Sequence, residues 1–503
     1  MKNKICAIIV YGIVALMFLL SVIIHGTTEW FDMRFGVSFE EILFTLTSPL
    51  NGSDVSFMDE AVEYVTPFVI EALLQLITSG LIILLLNIIL IEFKVKVFHK
   101  TFCVTLCKLY QWACVIVVIA MLVDAVVYGV RTLGIDTYVA QRIDKTTIYE
   151  EYYVDPDTIE LTNCDKSRNL LYIYLESMET TYASTDKGGS QEINYIPHLT
   201  ELAEENISFS HTEKLGGASL TGGSTWTMGA LLSTTSGVPF SLPVGCNSMN
   251  FFENFLPGLT TLGDILEERG YNQVFLCGSD GTFAGRQNYF EQHGNYNVVD
   301  YYDAIKKGYI DEDYYVWWGY EDLKLFDIAK TELLEISEKD EPFNFTMLTV
   351  DTHHIDGYVC ENCEDTYGNN QLGNVLQCAD NQIYDFLEWC KEQDFYDNTT
   401  IIVTGDHFRM DSSLIGEDAV RRVYNCYINA AKKPYGSTVN RTFTSLDFFP
   451  TTLSAMGFEI EGDRLGLGTD LFSETLTLAE ELGLEYINEE LAKHSSYYEK
   501  SFQ

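Results

Sequence analysis

The sequence predicts an α/β domain with a mostly parallel sheet flanked by helices, placed after a group of N-terminal transmembrane helices. Two observations carry this prediction. Three apolar stretches, each of about 20 residues, lie within residues 1–131. From about residue 166 onward, short apolar runs alternate with amphipathic stretches. This alternation is typical of domains in which parallel strands are connected by helices.

The three apolar stretches cover residues 5–24, 69–91 and 111–130. Each is long enough to cross a hydrocarbon core about 30 Å thick. The first is too long for the apolar part of a cleaved signal peptide, and no small-residue cleavage site follows it. We therefore expect a multi-pass transmembrane region over residues 1–131, followed by a polar juxtamembrane linker over residues 132–165.

The basic residues around these stretches predict their orientation. Lysines precede the first stretch and lie between the second and third, whereas Arg34 is the one strong base between the first and second. The lysines are Lys2, Lys4, Lys94, Lys96, Lys100 and Lys108. Because cytoplasmic loops carry an excess of Lys and Arg, the N-terminus is expected in the cytoplasm and the chain after residue 131 outside it.

The composition excludes one class of partner. The net charge is −42, and a nucleic-acid-binding protein needs basic patches.

Eight cysteines fall in the outer part of the chain, where disulfides are expected: Cys164, Cys246, Cys277, Cys360, Cys363, Cys378, Cys390 and Cys426. For the pair Cys360 and Cys363, a local disulfide is favoured over a zinc knuckle, because no second ligand pair has the usual spacing; a free pair stays open.

Four apolar runs of the buried-strand type are each followed by polar residues. They begin near Asn169, Gln273, Phe345 and Thr400, and they lead to Glu176, to Ser279-Asp280, to His353-His354 and to Asp406-His407. In parallel sheets, binding sites form at the carboxyl ends of the strands. The sequence therefore predicts that these polar side chains share one edge of the sheet.

Three of these residues suggest a metal site. Two carboxylates and an imidazole, from Glu176, Asp406 and His407, suit a divalent cation such as manganese or zinc. Each residue also has a structural interpretation: Glu176 as a helix cap, and Asp406-His407 as a turn. Their coincidence at matching strand ends favours the metal site.

A further candidate stands where a glycine-rich segment meets a helical pattern, in GGSTWTMGALLSTTSGVPF at residues 222–240. Thr227, near the start of that helix, could be a nucleophile; the alternative is an ordinary helix N-cap. Exposed N–H groups at a helix start attract phosphate. Arg286 could bind a phosphate through its guanidinium, and His353 could donate to a leaving alcohol, although surface roles are the alternative for each.

Taken together, these motifs resemble the sulfatase-like phosphoglycerol transferases, a family that includes lipoteichoic acid synthase and the transferase that modifies periplasmic glucans. The matching segments run from LES at Glu176 and GSTWTMGALLSTTSGVPF to FAGRQNYFEQHG, VDTHH, WGYEDLKLFD, TGDHF and SLDFFPTTLSAMGF. The resemblance covers about residues 166–475. It implies an alkaline-phosphatase/sulfatase-like catalytic domain, assigned here to residues 166–480, with an acidic and polar tail over residues 481–503.

The resemblance also implies roles for individual residues. Glu176, Thr227, Asp406 and His407 match the metal ligands of the family, and Thr227 matches its nucleophile. Arg286 and His353 match residues that hold phosphate and glycerol, with His354 a further candidate. The usual metal of the family is manganese, with zinc or magnesium as alternatives. The usual donor is phosphatidylglycerol, and the acceptor expected here is a glycan or a polyglycerolphosphate chain.

Two departures limit the comparison. Where lipoteichoic acid synthase has a tryptophan two places before the arginine, this chain has Ala284. The C/S-x-P-x-R motif that true sulfatases convert to formylglycine is absent from the sequence, which disfavours sulfate ester hydrolysis. Three alternatives stay open: a zinc-dependent phosphoethanolamine transferase, a metal-dependent phosphate or sulfate ester hydrolase, and a membrane-anchored binding protein with a decayed site.

Overall fold

The computed structural model describes residues 2–34, 39–40, 42–43, 56–89, 91–97, 100–162, 167–241, 254–411, 414–416 and 419–503. The chain divides into two compact units. The first comprises residues 1–39 and 55–139, and the second comprises residues 40–54 and 140–503. Cys164 and Cys246, two of the cysteines considered for disulfides, lie outside the described residues.

The first unit contains three long helices and a hairpin. The helices are α1 (Lys2–Arg34), α2 (Ser56–Ile89) and α3 (Leu106–Thr132), and the antiparallel hairpin strands between α2 and α3 are β1 (Glu92–Val97) and β2 (Lys100–Thr105). Each helix holds an apolar segment long enough to cross a membrane: Ile9–Arg34, Asp59–Ile89 and Leu106–Thr132. Many of their apolar side chains are exposed, as expected of surfaces that contact lipid.

The second unit is built on a six-stranded sheet with the strand order β6-β5-β7-β4-β8-β9. All neighbouring strands run parallel except β8 and β9, which are antiparallel. The strands are β4 (Asn169–Leu175), β5 (Asn272–Cys277), β6 (Asn297–Val299), β7 (Phe343–Leu348), β8 (Thr399–Gly405) and β9 (Asn425–Ile428). The four predicted strands are β4, β5, β7 and β8, and the α/β fold class is confirmed.

Helices cover both faces of this sheet, so its central strands are buried apolar runs. The helix α4 (Ile135–Ile143) crosses the sequence boundary between the two units. The helices of the second unit that follow it are α5 (Ile148–Tyr152), α6 (Pro197–Glu205), α7 (Thr227–Ser236), α8 (Leu262–Glu268), α9 (Arg286–Gln292), α10 (Tyr301–Lys307), α11 (Asp322–Ser337), α12 (Gln371–Lys391), α13 (Phe448–Ala455), α14 (Leu478–Leu482), α15 (Leu484–Leu491) and α16 (Ser496–Ser501). Two short two-stranded pairings use β3 (Leu161–Thr162), β10 (Glu459–Ile460), β11 (Arg464–Leu465) and β12 (Gly468–Thr469), with β3 pairing β10 and β11 pairing β12.

Two segments differ from the sequence-based expectation. The expected linker, residues 132–165, contains α4 and α5, and Ile148 and Tyr149 of α5 are buried in a hydrophobic core. The expected tail, residues 481–503, forms α15 and α16 and buries Ile487 and Phe502 in the same core. The free energy gained by burying the apolar side chains spaced along these helices outweighs the cost of folding segments with many charged residues.

Candidate active site and metal centre

The register of two neighbouring strands brings the predicted metal ligands together. Leu175 at the end of β4 pairs with Gly405 at the end of β8, so Glu176 and Asp406 are the next residues on adjacent parallel strands. Gly405 permits this approach, because a Cβ atom there would lie 1.9 Å from the carbonyl oxygen of Met178. Only glycine fits this position without displacement of the turn that follows Glu176.

His407 completes the group. Its Nε2 atom lies 3.5 Å from Oε1 of Glu176, 3.4 Å from Oδ2 of Asp406 and 3.3 Å from Oγ1 of Thr227. The other ring nitrogen, Nδ1, is 2.7 Å from the carbonyl oxygen of Phe408 and donates to it. That hydrogen bond places the proton on Nδ1 and leaves the Nε2 lone pair facing the two carboxylates and the threonine.

One oxygen of the buried Asp406 carboxylate accepts hydrogen bonds, and the other accepts none from the described residues. Its Oδ1 atom accepts hydrogen bonds from the backbone N–H groups of Ser177 at 2.8 Å and His407 at 2.7 Å. Its Oδ2 atom is buried and has no hydrogen-bond partner among the described residues. Burial, together with the nearby charge of Glu176, raises the pKa of Asp406 to about 7. A buried carboxylate oxygen without a donor is a group that a cation would stabilise.

The donor set fits a divalent metal ion. One ligand atom from each of Glu176, Asp406 and His407 lies within 4.8 Å of the others, and all three residues are buried. Hard carboxylate oxygens combined with one imidazole nitrogen suit manganese, magnesium or zinc. Ser177 supports the group from the side, because its Oγ atom donates to Oε1 of Glu176 at 2.7 Å.

Thr227 is the first residue of α7, and its hydroxyl faces this group instead of capping the helix. The N-cap is Trp226, which makes no side-chain capping hydrogen bond. The glycine-rich approach is tightly packed, since a Cβ atom on Gly223, whose φ is +79°, would lie 2.1 Å from the carbonyl oxygen of Phe240. The packing of this loop therefore sets where α7 begins and where the Thr227 hydroxyl lies.

The segment after β7 is hydrogen-bonded to Glu176, the residue that follows β4. The backbone N–H of Glu176 donates to Oγ1 of Thr349 at 2.9 Å, and Oγ1 of Thr352 donates to the Glu176 carbonyl. His353 follows directly. Burial, and to a smaller degree the neighbouring His407, lowers the pKa of His353 to about 4, so its ring is neutral near pH 7. Its Nδ1 atom donates to the carbonyl oxygen of His354, which leaves Nε2 as a hydrogen-bond acceptor.

The predicted substrate-binding residues form a continuous set of contacts. The ring of His353 lies 4.8 Å from that of Trp318, Trp318 lies 5.6 Å from Phe283, and the guanidinium of Arg286 lies 5.4 Å from the Phe283 ring. His354 stacks on His353 at 4.2 Å. The Nη2 atom of Arg286 donates to Oγ of Ser279 and to the Asp280 carbonyl, and its Nη1 atom contacts no acceptor in the described parts of the chain. The sequence predicts Arg286, His353 and His354, but not the aromatic side chains that connect them.

A buried ionic network behind the site was also missed by sequence reasoning. The guanidinium of Arg409 is buried, pairs with Asp411 at 2.8 Å and donates to the Thr352 carbonyl at 2.8 Å. Glu179 accepts the Arg409 backbone N–H at 2.8 Å and is paired with Arg421. These contacts join the segment after β4 to the segment after β8. Arg409, two places beyond His407, gives no signal in one sequence that separates it from a surface charge.

Known proteins match a large part of this chain. The family model described as sulfatase matches residues 168–458. A curated relative, phosphoglycerol transferase I from Escherichia coli, is 28% identical over 343 residues, which are 66% of this chain and 42% of the relative. The chain thus spans about two fifths of the length of the curated relatives it matches.

Two solved structures are similar to this chain, and the first of them shows the same fold. The integral membrane lipooligosaccharide phosphoethanolamine transferase A from Neisseria meningitidis matches 88% of this chain and 84% of its own, with a TM-score of 0.51 and 13% identity. The lipoteichoic acid synthase LtaP from Listeria monocytogenes matches 63% of this chain and 79% of its own, with a TM-score of 0.47 and 17% identity. The family match and the curated relatives confirm the resemblance predicted from the motifs. Because the family model covers more than half of the sequence, this chain belongs to the sulfatase family.

Proposed function

We propose that the protein is a membrane-anchored phosphoglycerol transferase that works through a covalent phospho-threonine at Thr227. The observation that carries the proposal is the 3.3 Å separation between Oγ1 of Thr227 and Nε2 of His407, beside the buried carboxylates of Glu176 and Asp406. A hydroxyl at a helix start, next to a cation site, is suited to attack a phosphodiester. The curated relatives named phosphoglycerol transferase support phosphoglycerol as the transferred group, and we propose phosphatidylglycerol as its donor.

Glu176, Asp406, His407 and Thr227 would hold the cation, for which manganese is the first choice and zinc or magnesium the alternatives. A bound divalent cation supplies positive charge that polarises the phosphate and acidifies the threonine hydroxyl. The protein contributes orientation: the Phe408 carbonyl fixes the His407 ring, and Ser177 holds both Glu176 and Asp406.

The chain's own residues then carry out two displacements at phosphorus. In the first, Oγ1 of Thr227 forms a bond to the phosphorus of the lipid, and the bond to the diacylglycerol oxygen breaks. In the second, an acceptor hydroxyl displaces Thr227 and takes the glycerol phosphate group. Arg286 is suited to hold a phosphate oxygen through its guanidinium, and the neutral His353 ring is suited to accept a hydrogen bond from a glycerol hydroxyl at Nε2.

A lipid donor and an extracytoplasmic acceptor agree with the first unit. Its three apolar helices are long enough to anchor the protein in a membrane. The β1–β2 hairpin between α2 and α3 carries Lys94, Lys96 and Lys100. We place this hairpin and the N-terminus in the cytoplasm, and the catalytic domain outside, where a glycan or polyglycerolphosphate chain would be the acceptor.

The experiment is a donor comparison with the full chain in detergent. Release of diacylglycerol is followed with phosphatidylglycerol or phosphatidylethanolamine, each with manganese or zinc, and with or without a glycan acceptor. The proposal predicts turnover of phosphatidylglycerol that manganese supports and that an acceptor accelerates. Turnover of phosphatidylethanolamine alone would assign the protein as a phosphoethanolamine transferase, and release of free glycerol phosphate unaffected by any acceptor would make it a hydrolase.

A further inference from the structure

A second group of potential metal ligands consists of three cysteine thiols. Cys360 and Cys363 lie in the segment between β7 and α12, and Cys378 lies on α12. The Sγ atom of Cys360 is 3.6 Å from Sγ of Cys363 and 3.6 Å from Sγ of Cys378. Sequence spacing favours a disulfide between Cys360 and Cys363, but the structure adds a third sulfur, from a residue distant in sequence, at the same separation.

These separations match thiolates around a metal ion. A disulfide joins two sulfurs at about 2.05 Å and leaves no role for the third. Zinc binds thiolates at about 2.3 Å in tetrahedral geometry, which places neighbouring sulfurs about 3.8 Å apart. We propose that Cys360, Cys363 and Cys378 bind a zinc ion, separate from the cation held by Glu176, Asp406 and His407.

A side-chain amide lies beside two of the three sulfurs. The side-chain Nε2 of Gln382, one turn beyond Cys378 on α12, lies 3.4 Å from Sγ of Cys378 and 3.8 Å from Sγ of Cys360. Such N–H donors form the outer shell that orients ligands in metal sites. Cys363 is the least buried of the three, so solvent can provide the fourth ligand.

Two buried carboxyl groups interact with the cluster. Asp322 and Asp351 are buried, exchange hydrogen bonds with each other's backbone N–H groups, and interact electrostatically with Cys360. Oδ2 of Asp351 is buried and has no hydrogen-bond partner in the described structure. Burial raises the pKa of both carboxyl groups, and a nearby zinc ion would lower the cost of ionising them.

The zinc ion would attach to α12 a long segment that contains neither helix nor strand. Residues 349–370 connect β7 to α12 and contain neither. A metal bound to two residues of this segment and one of α12 would close it against the helix and contribute to its stability. Because the same segment carries His353 and His354, the zinc would position them; this consequence alone depends on the proposed function.

The test is the metal and thiol content of the full chain purified in detergent without added metal or chelator. We expect Cys378→Ser to hold one equivalent of zinc less than the wild type. Cys390→Ser is the matched control, because Cys390 is also a buried cysteine on α12 but lies outside the cluster. Cys390→Ser should retain the full zinc content. Asp406→Asn, which alters the other site, should retain the zinc of the thiol cluster.

A second measurement does not depend on folding of the variants. Replacement of the wild-type metal by cobalt should produce the near-ultraviolet charge-transfer absorption of a cobalt–thiolate bond, which oxygen and imidazole ligands do not give. Alkylation before and after reduction, followed by peptide mass spectrometry, should find all three thiols reduced. A disulfide between any two of them, or a cobalt spectrum without the thiolate band, would overturn the zinc site without affecting the transferase proposal.

Discussion

The Oγ1 atom of Thr227 lies 3.3 Å from Nε2 of His407, although the two residues are 180 positions apart in the sequence. One stands at the start of α7 and the other directly after β8. Neither position alone distinguishes a nucleophile from a helix cap, or a metal ligand from a turn. Their proximity, beside two buried carboxylates, joins four residues into one candidate centre for phosphoryl transfer.

Removal of the Thr227 hydroxyl should abolish turnover and leave the fold intact. Thr227→Ala is expected to lower kcat by about 1,000-fold or more, because a covalent mechanism loses its nucleophile. Thr227→Ser keeps a hydroxyl and should retain measurable activity. Circular dichroism and the midpoint of thermal unfolding provide the control, and should be close to those of the wild type. Full activity in Thr227→Ala would exclude the covalent mechanism.

Asp406→Asn should weaken the binding of the divalent cation by about 100-fold or more, since a charged ligand becomes neutral while Oδ1 can still accept its backbone hydrogen bonds. Manganese binding by calorimetry or by metal analysis provides the measurement. Asp447→Asn is a matched control, because Asp447 is also buried and accepts backbone N–H groups, but from Thr444 and Thr469. Equal manganese affinity in the two variants would argue against the Asp406 site.

Two adjacent glycines offer a test of the loop that positions Thr227. A Cβ atom on Gly223 would lie 2.1 Å from the Phe240 carbonyl oxygen at a φ of +79°, whereas one on Gly222 would meet no atom within 4 Å. Gly223→Ala should cost about 1–3 kcal/mol of unfolding free energy and most of the activity. Gly222→Ala should alter neither by much. Comparable losses in the two variants would contradict the role given to this packing.

Trp318 should contribute to donor binding, because it lies between His353 and Phe283, on which the Arg286 guanidinium rests. Its indole Nε1 is buried and has no partner among the described residues, so a substrate oxygen could accept from it. Trp318→Ala is expected to lower kcat/KM for phosphatidylglycerol by about tenfold, or about 1.4 kcal/mol. This fall in kcat/KM should come mainly from a higher KM. An unchanged KM would show that Trp318 does not contribute to donor binding.

The pH dependence of stability can be tested at Asp470, far along the chain from the candidate site. Burial raises its pKa from 3.8 to about 6, against the lowering effect of the hydrogen bond from Ser454. A carboxyl with a raised pKa in the folded state stabilises the fold at low pH, and this contribution is lost as pH rises through about 6. Between about pH 4 and 7, the wild type should lose up to about 3 kcal/mol relative to Asp470→Asn. Denaturant unfolding at both pH values measures this, and a pH-independent difference would contradict it.

The fold was predictable where strands are long and apolar. β4, β5, β7 and β8 follow runs visible in the sequence, whereas β6 has three residues and β9 is an antiparallel strand of four, too short to separate from other buried segments. Helix α15 was predictable from the sequence, since Leu484, Ile487 and Leu491 repeat at helical spacing. The acidic residues between them are the reason for the prediction of a polar tail over residues 481–503.

The site was predictable as far as strand ends determine it. The register of β4 and β8 explains why Glu176 and Asp406 meet, and parallel-sheet topology anticipates this. The side-chain orientations could not be predicted, because they depend on individual contacts such as the hydrogen bond from His407 to the Phe408 carbonyl or the ion pair of Arg409 with Asp411. Hydrogen-bond partners of this kind leave no periodic pattern in one sequence.

The most direct test of the central claim is mass spectrometry of the full chain after incubation with phosphatidylglycerol and manganese, without an acceptor. The proposed mechanism predicts a glycerol phosphate adduct on the peptide that contains Thr227, absent from Thr227→Ala and removed when acceptor is added. An unmodified Thr227 in a sample that holds its metal and releases diacylglycerol would contradict the covalent phospho-threonine.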